Sequence, residues 1–249
     1  MTASMNILMY HSISSASGPT SIPRDTFRRQ IEMLAVCGYE SISLSAFNDW
    51  RTDKRAAKAR SVVITFDDGF ADFAESAFEI LRAHSYTATV FLPSGKIGGI
   101  EDWDGNRSLG RRLMSWSQVL DLSKENIQFG GHSVTHADLT ALSSNELERE
   151  VRQCRDQIGE KLGCLPVGFA PPYGRSHERE RREIRNSFDV SVGTRLARAY
   201  PDCDPYDVPR IEMHYFRNVN RWREYLEGRA DWYLNARRAL RSVKNLVTV

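Results

Sequence analysis

The chain has 249 residues, 41% of them apolar and 27% charged, with a formal net charge of +2. These are ordinary globular values and exclude a disordered, collagen-like or disulfide-framework protein. No apolar run approaches the roughly 20 residues that span a bilayer.

Cys37, Cys154, Cys164 and Cys203 form no CxxC pair and read as thiols. The first five residues lack a basic region, and the apolar stretch Ile7 to Tyr10 is too short for a secretory signal. The expectation is a cytoplasmic chain, exported if a leader was removed.

Taken in order, Asn6 to His11 reads as a first strand. Arg24 to Cys37 carries Phe27, Ile31, Leu34 and Ala35 at helical spacing, with Gly38 as a stop. Tyr39 to Leu44 alternates like a strand, and Ser61 to Phe66 is a continuous β-branched run suited to burial on both faces. Phe73 to His84 reads as helix and Thr87 to Leu92 as strand. Gly95 to Leu109, rich in glycine and aspartate, reads as a long loop over one face. Ser115 with Gln118 and Ser143 with Glu146 are capping boxes that open two helices, the second ending near Gly163. Between them Ile127 to Phe129 is a short strand. Val167 to Ala170, Asp189 to Val192 and Val208 to Met213 complete the strands. Strands alternating with helices at this length predict a parallel sheet closed, or nearly closed, into one α/β barrel.

Four places can carry chemistry. Thr65-Phe66-Asp67-Asp68-Gly69 ends a buried strand in two carboxylates, which a turn at Gly69 can direct inward together. Such a pair repels and calls for a cation or a proton; the plainer reading is a turn that caps the next helix. His132-Ser133-Val134-Thr135-His136 follows Gly130-Gly131, and two histidines at i, i+4 share a face if that turn is helical. Two imidazoles and a carboxylate make a three-ligand set with open positions, which suits zinc among divalent ions. Ala170-Pro171-Pro172-Tyr173-Gly174 is a stiff loop that is either a rigid connection or a holder for an amide N–H near an oxyanion. His11 closes the first strand and, taken alone, reads as structural.

Together these residues resemble the polysaccharide deacetylase family, carbohydrate esterase family four, over about residues 5–215. TFDDG looks like its first motif, HSVTH its second and the PPYG loop its third. The resemblance implies a distorted (β/α)7–8 barrel and removal of acetyl groups from N-acetylated sugars, or O-acetyl groups from xylan. It implies that Asp67 is the general base, that Asp68, His132 and His136 hold a divalent metal, and that the Tyr173 N–H faces the oxyanion. The family's late general-acid histidine has no convincing copy here; His214 is the only candidate. Instead Tyr10-His11 stands at the N-terminus, which resembles the circularly permuted exopolysaccharide N-deacetylases and assigns the acid to His11. The arginine that orients the base in the third motif is replaced by Ala170, and Arg210 is the substitute considered.

The expected function is therefore a metal-dependent N-deacetylase of a sugar or polysaccharide. The alternatives are an O-acetyl esterase with the same site, or a metal-binding carbohydrate module with weak or no activity. Trp103, Trp116, Pro172 and Tyr173 are candidate sugar contacts. Residues 1–216 are read as the barrel and 217–249 as a helical segment packed on it. That segment carries eight basic against three acidic residues, interleaved with Trp222, Tyr225, Trp232 and Tyr233. It raises peripheral contact with an anionic membrane or a lipid-linked sugar. Nucleic acid is not expected, because the rest of the chain is balanced in charge.

Overall fold

The structure, a computed structural model, describes residues 4–52 and 58–247; the expected segment 217–249 runs past them at 248 and 249. The first half contains β1 (Asn6–Tyr10), α1 (Arg24–Val36), β2 (Glu40–Ser41), α2 (Leu44–Arg51), β3 (Ser61–Phe66), α3 (Phe78–Ala83), β4 (Ala88–Leu92) and α4 (Trp116–Ser123). The second contains β5 (Ile127–Gly131), α5 (Ser144–Glu148), α6 (Cys154–Leu162), β6 (Gly168–Phe169), α7 (Glu178–Arg185), β7 (Val190–Leu196), β8 (Val208–Glu212), α8 (Val219–Leu226) and α9 (Asp231–Val247).

All strand pairs are parallel, and β1 pairs with both β3 and β8. This closes a seven-strand ring in the order β1, β3, β4, β5, β6, β7, β8. β2 lies outside the ring, paired with the first two residues of β3. The architecture is a single-domain, distorted (β/α) barrel. Among the described residues no helix is long and apolar enough to cross a membrane.

Side chains alternate across each strand, and the alternation divides the core in two. Ile7, Val63, Phe91, Val192 and Val208 join one cluster in the lumen. Leu8, Val62, Ile64 and Val90 face the other way and pack with Phe27, Ile31 and Leu34 of α1. Gly130 has a steric reason: a Cβ there would stand 2.7 Å from the Gly168 carbonyl, so only glycine lets β5 lie against β6.

Several boundaries differ from expectation. The strand foreseen over Tyr39 to Leu44 shrinks to β2, because the Ser43 hydroxyl accepts the Ala46 N–H at 3.1 Å and starts a helix at Leu44. The helix foreseen from Phe73 opens with a π-helical turn, Phe73–Ala77. The helix after Ser143 passes through a second such turn, Arg149–Gln153, and stops at Gly163 with φ 70°. α7 gave no apolar periodicity: its sequence is ERERREIR, with only Glu180 and Ile184 buried. In α8, Trp222 and Tyr225 are buried in the outer cluster. α9 packs Leu234 and Tyr233 on the outer cluster. Trp232 and Leu240 are exposed, while Arg237 turns onto the rings of Tyr215 and Tyr233.

Candidate active site

The functional side chains gather at the C-terminal ends of the strands, the mouth where parallel barrels place their chemistry. The lumen positions of β3 run Val63, Thr65, and the next on that face is Asp67. Those of β8 run Val208, Arg210. This register faces Arg210 toward Asp67. Arg210 donates Nη1 and Nη2 to the two Asp67 oxygens, each at 2.7 Å. It also donates Nε to the Gly193 carbonyl at 2.8 Å and Nη1 to Thr65 Oγ1 at 3.1 Å. Both partners are sealed, with Asp67 4% and Arg210 1% exposed. Burial pushes the Asp67 carboxyl up, and the guanidinium more than offsets that, leaving its pKa below the usual carboxylate value.

Strict alternation would turn Asp68 away from the lumen. Asp68 and Gly69 instead take left-handed φ values of 73° and 66°, which bends the chain and brings the second carboxylate back to the mouth. There Asp68 Oδ1 lies 3.2 Å from His132 Nε2 and 3.2 Å from His136 Nε2. One ligand atom from each of the three residues falls within 4.8 Å of the others. Burial raises the Asp68 pKa, and hydrogen bonds from the two imidazoles hold it well below its ordinary value.

The turn carrying the histidines is not helical, so the condition under which i, i+4 spacing puts both on one face is not met. His132 extends straight from β5, and Ser133 and His136 have φ 63° and 62°. The loop is shaped by Glu150, whose carboxylate accepts the N–H groups of Val134 and Thr135 at 2.8 and 2.9 Å. The pair meets through this bend, with ring centroids 4.9 Å apart.

The donor set fits a divalent cation. His132 gives its Nδ1 proton to the Ala170 carbonyl at 2.6 Å, which leaves Nε2 as the atom to bind an ion. Four of the seven non-glycine residues with positive φ among the described residues are Asp68, Ser133, His136 and Tyr173. Such conformations cost about 1–3 kcal/mol each and persist where the surroundings enforce them.

Asp67, Asp68, His132 and His136 line a cleft of about 410 Å³, together with His11, Trp103, Asp104, Tyr173, Glu212, His214 and Arg241. His11 Nε2 stands 3.9 Å from Asp67 Oδ2. Tyr173 is half-exposed, with φ 59° and ψ 2°. Pro172 is buried beside it as the first residue of the tight turn. Trp116 is not brought there: it opens α4 and packs against the outer cluster. The segment expected as a loop over this face reaches it through Glu101, Trp103 and Asp104. It is braced by a bidentate pair, Glu101 with Arg111, both bonds 2.7 Å. A hollow of about 570 Å³ at the opposite end, around Asn6, Ser61 and Arg198, includes none of the acids or imidazoles above.

Glu212 and Arg241 are among the cleft residues that escaped the sequence reading. Glu212 sits two beyond Arg210 on the same strand face, so alternation could have found it. Arg241 comes from α9, where it donates to the Thr194 carbonyl at 2.8 Å; nothing local marks it.

A family model described as polysaccharide deacetylase matches residues 54–192. Among curated proteins, YxkH of Bacillus subtilis (strain 168) is 22% identical over 227 residues, covering 91% of this chain and 77% of that protein. The poly-β-1,6-N-acetyl-D-glucosamine N-deacetylase of Staphylococcus epidermidis is 24% identical, covering 77% of this chain and 67% of that protein. A chitin deacetylase of Pestalotiopsis sp. is 28% identical over 110 residues, and the match covers only 33% of its length. Two solved structures share the fold. IcaB from Ammonifex degensii has a TM-score of 0.76 at 20% identity, covering 91% of this chain and 97% of that one. The Streptococcus pyogenes deacetylase PplD in complex with acetate has a TM-score of 0.74 at 22% identity, covering 85% and 92%. With the family model spanning more than half of its residues, this chain belongs to the polysaccharide deacetylase family.

Proposed function

We propose that the chain is a metal-dependent N-deacetylase that releases acetate from an N-acetylated sugar or glycan. The observation that carries this reading is the juxtaposition at one cleft of an arginine-clamped Asp67 with the Asp68–His132–His136 set. Family membership supports deacetylation of a glycan. A relative named for N-deacetylation of poly-N-acetylglucosamine supports the amide over the ester.

Asp68, His132 and His136 would hold the ion, and imidazole with carboxylate favours zinc. A divalent cation there supplies Lewis acidity and makes bound water easier to deprotonate. The remaining work falls to the chain. Asp67, kept ionised and fixed in orientation by Arg210, takes a proton from the attacking water. The Tyr173 backbone N–H faces the oxygen on which negative charge develops, an interaction worth about 3–4 kcal/mol for one such donor. His11 protonates the departing nitrogen, without which an amine cannot leave. The exposed ring of Tyr173 and the indole of Trp103 form a surface for the sugar.

Zinc-loaded protein is expected to release acetate from N-acetylglucosamine oligomers, to lose this with a chelator and to regain it on adding zinc. Silence of the zinc-loaded protein across a panel of N-acetylated oligosaccharides would overturn the deacetylase reading. Parent-like turnover in pure, metal-replete Asp67→Asn protein would overturn the choice of base.

A further inference from the structure

The two histidines of the candidate ion site are held in different ways. A ligating imidazole is normally oriented through its second nitrogen, which donates to a carbonyl or carboxylate. His132 follows that rule through the Ala170 carbonyl. His136 does not: its Nδ1 is buried and, among the described residues, has no hydrogen-bond partner. With Nδ1 unpartnered, only the Nε2 contact to Asp68 limits rotation about the Cβ–Cγ bond unless packing prevents it as well.

Packing does prevent it. The Trp103 indole lies nearly parallel to the His136 ring, with centroids 4.2 Å apart and planes 17° apart. Tyr173 meets the same ring edge-on at 4.9 Å and 81°, and His132 meets it at 4.9 Å and 68°. One face is covered and two sides are blocked. Trp103 is itself anchored: it contacts Phe70 at 6.3 Å, and its segment is fixed by the buried Glu101–Arg111 pair. Offset aromatic stacking favours one ring orientation over another.

We infer that Trp103 is a positioning residue for His136, doing by stacking what the Ala170 carbonyl does for His132 by hydrogen bonding. The segment after β4 thereby becomes a determinant of ion affinity as well as part of the cleft wall. This rests on the ion-site reading of Asp68, His132 and His136.

The test measures the dissociation constants of zinc and cobalt(II) for metal-stripped full-length protein by competition with a chelator. Parent, Trp103→Phe, Trp103→Leu and Trp103→Ala are compared. Trp103→Ala and Trp103→Leu are expected to bind roughly 10- to 100-fold more weakly, the usual effect of losing an orienting partner. Trp103→Phe, which keeps a flat ring, should recover most of the affinity. The visible spectrum of the cobalt-loaded protein should change in Trp103→Leu and not in Trp103→Phe. Parent-like affinity in Trp103→Ala, with a raised KM on acetylated oligosaccharides at saturating zinc, would make Trp103 a sugar contact only and overturn the inference. A parent protein that fails to bind one ion per chain would instead remove the ion-site reading beneath it.

Discussion

Asp67 and Asp68 are adjacent in sequence and equally buried, yet the fold compensates them by opposite means. Asp67 is matched by a cation of the chain itself, a bidentate arginine rooted in the barrel lumen. Asp68 meets two imidazoles carried on bent loops. The first arrangement is rigid, because strands fix both partners and neither can leave without stranding a buried charge. The second is exchangeable, because an imidazole that donates to a carboxylate can release that proton to solvent and bind a cation instead. On the proposed reading, one side of the cleft serves as a fixed general base and the other as a receptor for an ion.

The largest expected effect comes from breaking the rigid side. Arg210→Leu leaves Asp67 buried and unpaired, and should cost about 3–5 kcal/mol of folding stability in denaturant titrations. Arg210→Lys keeps the charge, loses the two-pronged geometry and should fall between the parent and Arg210→Leu. If Arg210→Leu unfolds at the parent's midpoint, the clamp is not what keeps that charge in place.

Next come the two neutralised acids, which should separate cleanly. Asp67→Asn is expected to lower kcat by roughly 10²–10⁴-fold, the range for a general base, while ion content stays at the parent's value. Asp68→Asn is expected to lose the ion, as read by elemental analysis. Loss of the ion from both variants alike would erase the distinction drawn here.

His11→Ala should follow, with an effect that depends on the leaving group. An amide nitrogen needs protonation before departure, so turnover of acetamido sugars should fall by about 10²-fold or more. An O-acetyl ester of comparable size should suffer markedly less. Equal losses on both substrates would move the acid elsewhere, with His214, the other cleft imidazole outside the ion set, to try.

The smallest effect concerns Glu212, in the cleft wall. Burial raises its carboxyl pKa, and nearby His11 partly counters this. A raised carboxyl pKa means that the folded chain holds the proton more tightly than the unfolded chain does. The contribution to stability is complete below the unfolded value of about 4.3 and falls as pH rises through the folded value. Glu212→Gln should therefore melt at a higher temperature than the parent near pH 7, with the difference vanishing by about pH 4. A melting difference that is flat across pH would show that this carboxyl titrates alike in both states.

Much of the barrel could be read along the chain, because a strand buried on both faces declares itself as an unbroken apolar run. Ile7 to Tyr10 is such a run, and Val62 to Phe66 is one broken only by Thr65. The acids of TFDDG and the imidazoles of HSVTH were legible as candidates for a related reason: each follows a strand directly, and barrel strands deliver their ends to one mouth. α7 and α2 were obscured because neither has the length or apolar periodicity to stand out. Trp116 looked like a sugar platform by residue type alone, and helix packing sends it to the outer layer.

The amino-acid order by itself determined the residue types and the strand ends that carry them, since these depend on local patterning. It did not determine which arginine meets which acid. Arg210 and Asp67 are 143 residues apart, and only barrel closure, which sets β8 beside β1 and β1 beside β3, brings the fork to the carboxylate. Nor did it determine how the histidines converge. The spacing would put both on one face only on a helical turn, and the fold instead uses left-handed bends tied down by Glu150 and an indole stacked from a distant segment. Contacts of that kind depend on backbone path and register, which exist only once the ring of strands has closed.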